Sequence, residues 1–124
     1  MTVVVDGNDG TGKTTLVAAL RECGHAVRDR GKPTEMTDDE TVEAPADDVY
    51  LILDAPVEVC RTRLAQAGKD LSERYHTVED LTYYRGRFQE VAAALPRCAV
   101  VDSSGTREET LARALEALEA LQAR

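Results

Sequence analysis

The chain has 124 residues, 43% of them hydrophobic, and a net charge of −8. That is enough for one globular domain around one core. The acidic balance disfavours a generic nucleic-acid surface, which would be basic, while leaving room for a small local basic cleft.

The first element is an apolar strand over Thr2–Asp6, with Val3, Val4 and Val5 at its centre. It runs into Gly7, Asn8, Asp9, Gly10, Thr11, Gly12, Lys13 and Thr14, which fits the spacing G-x-x-x-x-G-K-[ST]. A helix is expected over Lys13–Arg21, ending near Gly24, with Leu16 and Leu20 one turn apart. A short strand over His25–Arg28 follows. From Arg30 to Asp48 there is no sustained period, and Pro33, Pro45 and many acids suggest a long, mobile loop. A metal role for the acidic stretch Glu35–Glu43 is disfavoured, because no ligand spacing stands out.

Val49–Leu53 is a continuous apolar run closing on Asp54, as a buried parallel strand does. Pro56 suits the first turn of a helix whose stripe is Val57, Cys60 and Leu64. Residues 68–76 are polar and irregular. Thr77 with Asp80 forms an N-cap arrangement, and Leu81, Tyr84, Phe88, Val91 and Leu95 give the strongest helical period in the chain. Arg85 and Arg87 are expected on the exposed side of that helix, and Pro96 ends it. Ala99–Val101 is a further strand closing on Asp102. Thr106 with Glu109 makes a capping box for a last helix striped by Leu111, Leu115 and Leu118.

Alternation of this kind implies an α/β fold of the P-loop NTPase type. It is a three-layer sandwich around a small parallel sheet of about four strands, ordered 2-1-3-4, with right-handed crossovers. Cys23, Cys60 and Cys98 are odd in number and widely spaced. They suit neither a zinc site nor a disulfide framework, and are expected as small packed side chains in a reducing cytosol. No apolar run approaches a membrane span and no signal-peptide pattern opens the chain, so a cytoplasmic location without membrane attachment is expected.

The loop after the first strand carries the chemistry. Its glycines let successive backbone N–H groups curl around a phosphate, and the following helix points its positive end at the same anion. Lys13 reaches the β- and γ-phosphates, and the Thr14 hydroxyl can ligate Mg²⁺. His76 as a proton-transfer base is disfavoured, since phosphoryl transfer depends mainly on charge and positioning. His25 is read as structural.

Three segments resemble the thymidylate kinase family and its P-loop nucleoside and nucleotide kinase relatives. They are Asp6–Thr15, Leu51–Val59 and Val100–Ser104. The resemblance implies one kinase domain over residues 1–124, with ATP as donor, Mg²⁺ as cofactor and a small nucleotide or nucleoside acceptor. It implies ATP contacts from Gly7, Asn8, Asp9, Gly10, Thr11, Gly12, Lys13, Thr14 and Thr15, with Asp102, Ser103 and Gly105 beside adenine. Asp9 would meet the acceptor's sugar. Gly10 stands where some members put an arginine, and members lacking it draw cations from a lid. Here residues 68–76 are lid-like, and Arg61, Arg63, Lys69 and Arg74 flank or lie in that stretch. Lys13, Asp9, Arg61, Arg63 and Arg74 are therefore the candidate catalytic residues. Thr14 and Asp54 are the candidate metal residues, with Asp6 a further candidate by position. Arg28 and Arg30 stand where the family's second strand delivers an arginine towards the acceptor phosphate. A linker over residues 31–48 replaces the family's acceptor-pocket segment. A homodimer is compatible with this reading.

The function expected is thus Mg-ATP-dependent phosphoryl transfer to a nucleotide or nucleoside-like acceptor. The alternatives are a P-loop kinase for a larger or non-nucleotide hydroxyl acceptor, including a modified base in nucleic acid, and an ATP-binding regulator that transfers nothing.

Overall fold

The computed structural model describes residues 1–30 and 48–123. The expected linker therefore lies outside the described residues apart from Arg30 and Asp48, as does the acidic stretch Glu35–Glu43. The elements are β1 (Val3–Gly7), α1 (Lys13–Glu22), β2 (Val27–Asp29), β3 (Val49–Asp54), α2 (Val57–Gln66), α3 (Val78–Ala94), β4 (Cys98–Asp102) and α4 (Arg107–Gln122). The strands form a four-stranded sheet in the order β2-β1-β3-β4, and every neighbouring pair is parallel. The expected fold class and strand order are those observed. The short second strand sits two residues later at its start than its sequence suggests.

The central strands are apolar throughout because both faces of the sheet are covered. Val3, Val5, Leu51 and Leu53 pack on one face with Leu16, Val17 and Leu20 of α1 and with Ala114, Leu118 and Leu121 of α4. Val4, Tyr50 and Ile52 pack on the other face with Tyr84, Phe88, Val91 and Leu95 of and just beyond α3. A third cluster, Ala55, Cys60, Leu64 and Leu81, joins α2 to the start of α3. The last helix is rotated slightly from its expected stripe: Thr110, Ala114, Leu118 and Leu121 are buried, while Leu111 and Leu115 flank the core. Four leucines and four alanines spaced around that helix let packing, rather than residue type alone, choose the buried line.

The caps fall where the sequence places them. Thr77 Oγ1 accepts from the Asp80 amide at 3.1 Å, and Thr106 and Glu109 complete a reciprocal capping box on α4. Pro56 stands at the N-cap position of α2 rather than inside its first turn. The three cysteines are unpaired thiols. Cys60 is buried and Cys98 half-buried, where burial pushes the Cys98 thiol up to about 12. Cys23 is exposed, contrary to its expected packing. Among the described residues no helix is long and apolar enough to cross a membrane.

Candidate active site

The loop between β1 and α1 is built around backbone that few side chains tolerate. Gly12 caps α1 at φ 95° and ψ 24°, with no side-chain cap on the helix. The first-turn N–H groups thus have no side-chain cap from Gly12, the arrangement a helix start that binds an anion requires. Gly10 has φ +85°, and a Cβ there would stand 2.6 Å from the Cys60 carbonyl oxygen. Gly10 stands where the resembling family can place an arginine, and the backbone of α2 closes that position here. Asn8 is buried and donates from Nδ2 to the Leu81 carbonyl at 2.8 Å, fastening the loop to α3. Thr11 Oγ1 donates to the Asn8 carbonyl at 2.6 Å.

Lys13 is only 8% exposed. Its Nζ donates to the Gly7 carbonyl at 2.6 Å and lies 3.6 Å from Asp9 Oδ1. The lysine thus lies folded over its own loop, a conformation it must leave to reach a phosphate.

A cavity of about 920 Å³ opens along this loop. Residues 9–16 form its floor, Arg63 to Lys69 at the end of α2 form one wall with His76, and the turn and helix start from Ser103 to Leu111 form the other. Its size lies within the range of small-molecule sites. Of the residues expected to border a nucleotide, Asp9, Gly10, Thr11, Gly12, Lys13, Thr14, Thr15, Ser103 and Gly105 line the cavity. Gly7, Asn8 and Asp102 lie outside that lining. Gly7 contributes through its carbonyl to Lys13, and Asn8 braces the loop from behind. Asp102 accepts from the Ser104 amide at 2.9 Å and hydroxyl at 2.6 Å, and those bonds hold its carboxyl below the usual range.

The arginines separate into different roles. Arg63 lines the cavity, donating to the Gly10 carbonyl at 3.2 Å, the Ser103 carbonyl at 2.6 Å and the Gly105 carbonyl at 3.1 Å. It thereby staples the loop between β1 and α1 to the opposite wall. Arg61 grips the Leu71 carbonyl at 3.2 Å and the His76 carbonyl at 2.8 Å. It braces the lid-like segment from beneath and stands outside the cavity lining. Arg74 is exposed and stacks its guanidinium on the Tyr75 ring, 4.9 Å from the centroid. Lys69 is the lid-like segment's cation in the cavity wall. That segment is held by Leu71 and Tyr75, which pack against the neighbouring core clusters, and by polar ties: besides Arg61, the Asp70 carboxylate accepts from Ser72, and the Asp80 carboxylate accepts from the Tyr75 amide.

Two side chains take positions that the sequence reading did not give them. Arg85 is half-buried, not on an exposed helix face, and donates to both Asp54 oxygens at 2.8 and 3.0 Å. A signal for it existed, since position 85 completes the 81-84-85-88 helical face. His76 is buried and brings Nε2 to 3.1 Å from Asp9 Oδ2. No local pattern pairs two residues so far apart in sequence.

Asp6 is fully buried at the end of β1. Its Oδ1 accepts from the Gly7 amide at 2.9 Å, and Arg30 Nε stands 3.9 Å from its Oδ2. Burial, only partly offset by that bond, Lys13 and Arg30, pushes its carboxyl up to about 6.

A magnesium ion fits this site chiefly as a guest of phosphates. Mg²⁺ commonly keeps several waters and takes one or two protein oxygens plus phosphate oxygens. Thr14, on the cavity surface beside Lys13, is placed to offer one such oxygen. Asp54 stands outside the cavity lining with its charge balanced by Arg85. Among the described residues no three His, Cys, Asp or Glu side chains gather closely enough to hold a metal alone.

No family model matches the chain. It is 30% identical over 141 aligned residues to bifunctional cordycepin biosynthesis cluster protein 3 of Cordyceps militaris. That match takes in 90% of this chain and 16% of that protein, so the chain spans about a sixth of the length of the curated relative. Among solved structures, the unliganded crystal structure of a sugar kinase from a Janibacter species superimposes with a TM-score of 0.54. That superposition covers 97% of this chain and 96% of that one at 20% identity, a likeness of fold.

Proposed function

We propose that the chain is an Mg-ATP-dependent kinase that transfers the γ-phosphoryl group to a nucleotide or nucleoside-like acceptor. The observation that carries this reading is the phosphate loop itself. An uncapped helix start, a left-handed Gly12 and Lys13 converge on one end of a nucleotide-sized cavity. The fold likeness to a sugar kinase supports it.

In this reading the triphosphate lies on the backbone N–H groups of Gly10 to Thr14, and Lys13 leaves the Gly7 carbonyl to meet it. Thr14 would hold the Mg²⁺, which when bound would supply charge neutralisation at the transferred group. The adenine lies towards Ser103 and Gly105. Arg63 keeps the two walls in register, and Asp9 meets the acceptor. Arg74 reaches the phosphates only through movement of the 68–76 segment. The site would work in the cytoplasm on a small acceptor.

The test has two stages. Mg-ATP should raise the melting temperature of the chain, since a ligand that binds only the folded state stabilises it by mass action. Lys13→Ala should blunt that rise and lower turnover by about 10²–10³, the size of a lost preorganised electrostatic contact. Because Lys13 is buried and bonded to Gly7, the variant should also lose about 1–3 kcal/mol of stability, so each ATP shift is read against its own melt. Turnover is measured by mass spectrometry, as an added phosphate, on thymidine, dTMP, adenosine, AMP, cordycepin and simple sugars. The last two are included because of the names of the relative and the structural neighbour. ATP binding with no acceptor phosphorylated would replace the kinase reading with that of a nucleotide-binding regulator. No shift with ATP or GTP would end both.

A further inference from the structure

We infer that His76 is a positioning residue for triphosphate binding, whose doubly protonated ring holds the Asp9 carboxylate away from Lys13. The inference rests on the reading of the cavity as an ATP site.

The ring is caught between two acceptors. Nδ1 lies 3.0 Å from the Asp70 backbone carbonyl oxygen, and Nε2 lies 3.1 Å from Asp9 Oδ2. A carbonyl and a carboxylate only accept, while a neutral imidazole carries one N–H. A neutral ring would therefore satisfy one contact and set lone pair against lone pair at the other. A ring protonated on both nitrogens satisfies both. Its surroundings agree. Glu73 Oε2, on the same segment, stands 3.9 Å from Nδ1. From the phosphate loop Asp9 faces Nε2. The cations of the neighbouring helices act at one remove: Lys13 of α1 through Asp9, and Arg61 of α2 through the His76 carbonyl. Lys69 shares the cavity wall.

What the ring does for the site follows from the other Asp9 oxygen. Oδ1 is 3.6 Å from Lys13 Nζ, outside hydrogen-bond range, while Lys13 donates to the Gly7 carbonyl at 2.6 Å. Asp9 is thus anchored on His76 and only loosely paired with Lys13, so the lysine has its Gly7 bond, but no tight ion pair, to give up in reaching a phosphate. Without the imidazolium, Lys13 is the nearest partner for the Asp9 charge. A tight Asp9–Lys13 pair would withhold from the triphosphate the cation it needs.

The inference is tested on the full chain. With ¹⁵N-histidine labelling, long-range ¹H–¹⁵N spectra at pH 7 should show both His76 ring nitrogens protonated, with His25, the only other histidine, as internal reference. Asp9→Asn should convert His76 to a neutral ring protonated at Nδ1, because an amide can donate to Nε2. A neutral His76 in the unmodified chain, or a ring unmoved by Asp9→Asn, overturns the proposal. In calorimetric titration with Mg-ATP, His76→Gln should weaken binding about tenfold or more, the scale of a hydrogen bond to a charged group. Adding Asp9→Asn to that variant should restore affinity to within a few-fold, a rescue that a merely structural role for His76 would not give. Unchanged affinity in His76→Gln, or no rescue, overturns the inference while leaving the ATP reading intact. An unmodified chain that binds no Mg-ATP overturns both.

Discussion

Asp6→Asn should make the protein more stable at neutral pH and flatten its response to pH. Asp6 is 0% exposed, and burial raises its carboxyl from 3.8 to about 6. A group whose folded-state value lies above its unfolded one holds its proton more tightly when folded. Its contribution to stability is therefore fully present below 3.8 and is lost as pH rises through about 6. At about 1.36 kcal/mol per pH unit, that interval corresponds to about 3 kcal/mol of destabilisation at pH 8. Asparagine keeps an oxygen for the Gly7 amide, whose bond to Oδ1 is 2.9 Å, and carries no charge to desolvate. The stability difference between Asp6→Asn and the unmodified chain should be near zero at pH 3.5. It should grow to about 2–3 kcal/mol in favour of the variant at pH 8, or about 10 °C in melting temperature for a domain of this size. Urea denaturation at a series of pH values measures it, and the comparison cancels every other titrating group. A difference that stays flat, or favours the unmodified chain increasingly as pH rises, would refute the reasoning. If the variant is also slower in phosphoryl transfer, the buried charge is retained for the site at a cost in stability.

Gly10→Ala should lose about 2–4 kcal/mol and weaken Mg-ATP binding, because the new Cβ would meet the Cys60 carbonyl at 2.6 Å in a left-handed conformation. Thermal melts and calorimetry measure both, and a variant as stable as its parent would show that α2 yields to the loop. Arg63→Ala should lower the melting temperature and ATP affinity together, since its guanidinium holds carbonyls of Gly10, Ser103 and Gly105. Arg74→Ala should leave ATP affinity unchanged and lower the melting temperature by only a few degrees, its contact being an exposed stack on Tyr75 worth about 0.5–1 kcal/mol. A tenfold loss of ATP affinity in Arg74→Ala would instead bring that arginine to the phosphates.

Local sequence determined the layers and the glycine-rich loop between β1 and α1. Uninterrupted apolar runs at 3–5 and 49–53 mean strands buried on both faces, and those strands form the centre of the parallel sheet. The loop was legible because contiguous residues shape it: its glycines, its lysine and the helix that follows are neighbours in the chain. The caps at Thr77 and Thr106 were legible for the same reason, each being a contact across three residues. Tertiary structure decided what the charged side chains do. Three arginines within fourteen residues look alike in sequence, yet one staples the cavity, one braces the lid-like segment and one stacks at the surface. The partners of the first two are backbone carbonyls, which no residue type announces. Asp54 and Arg85, like Asp9 and His76, are joined only by the packing of α3 and its preceding segment against the sheet's C-terminal edge. Burial gave Asp6 its shifted proton affinity, because desolvation depends on what the fold stacks around a carboxylate rather than on the residues beside it.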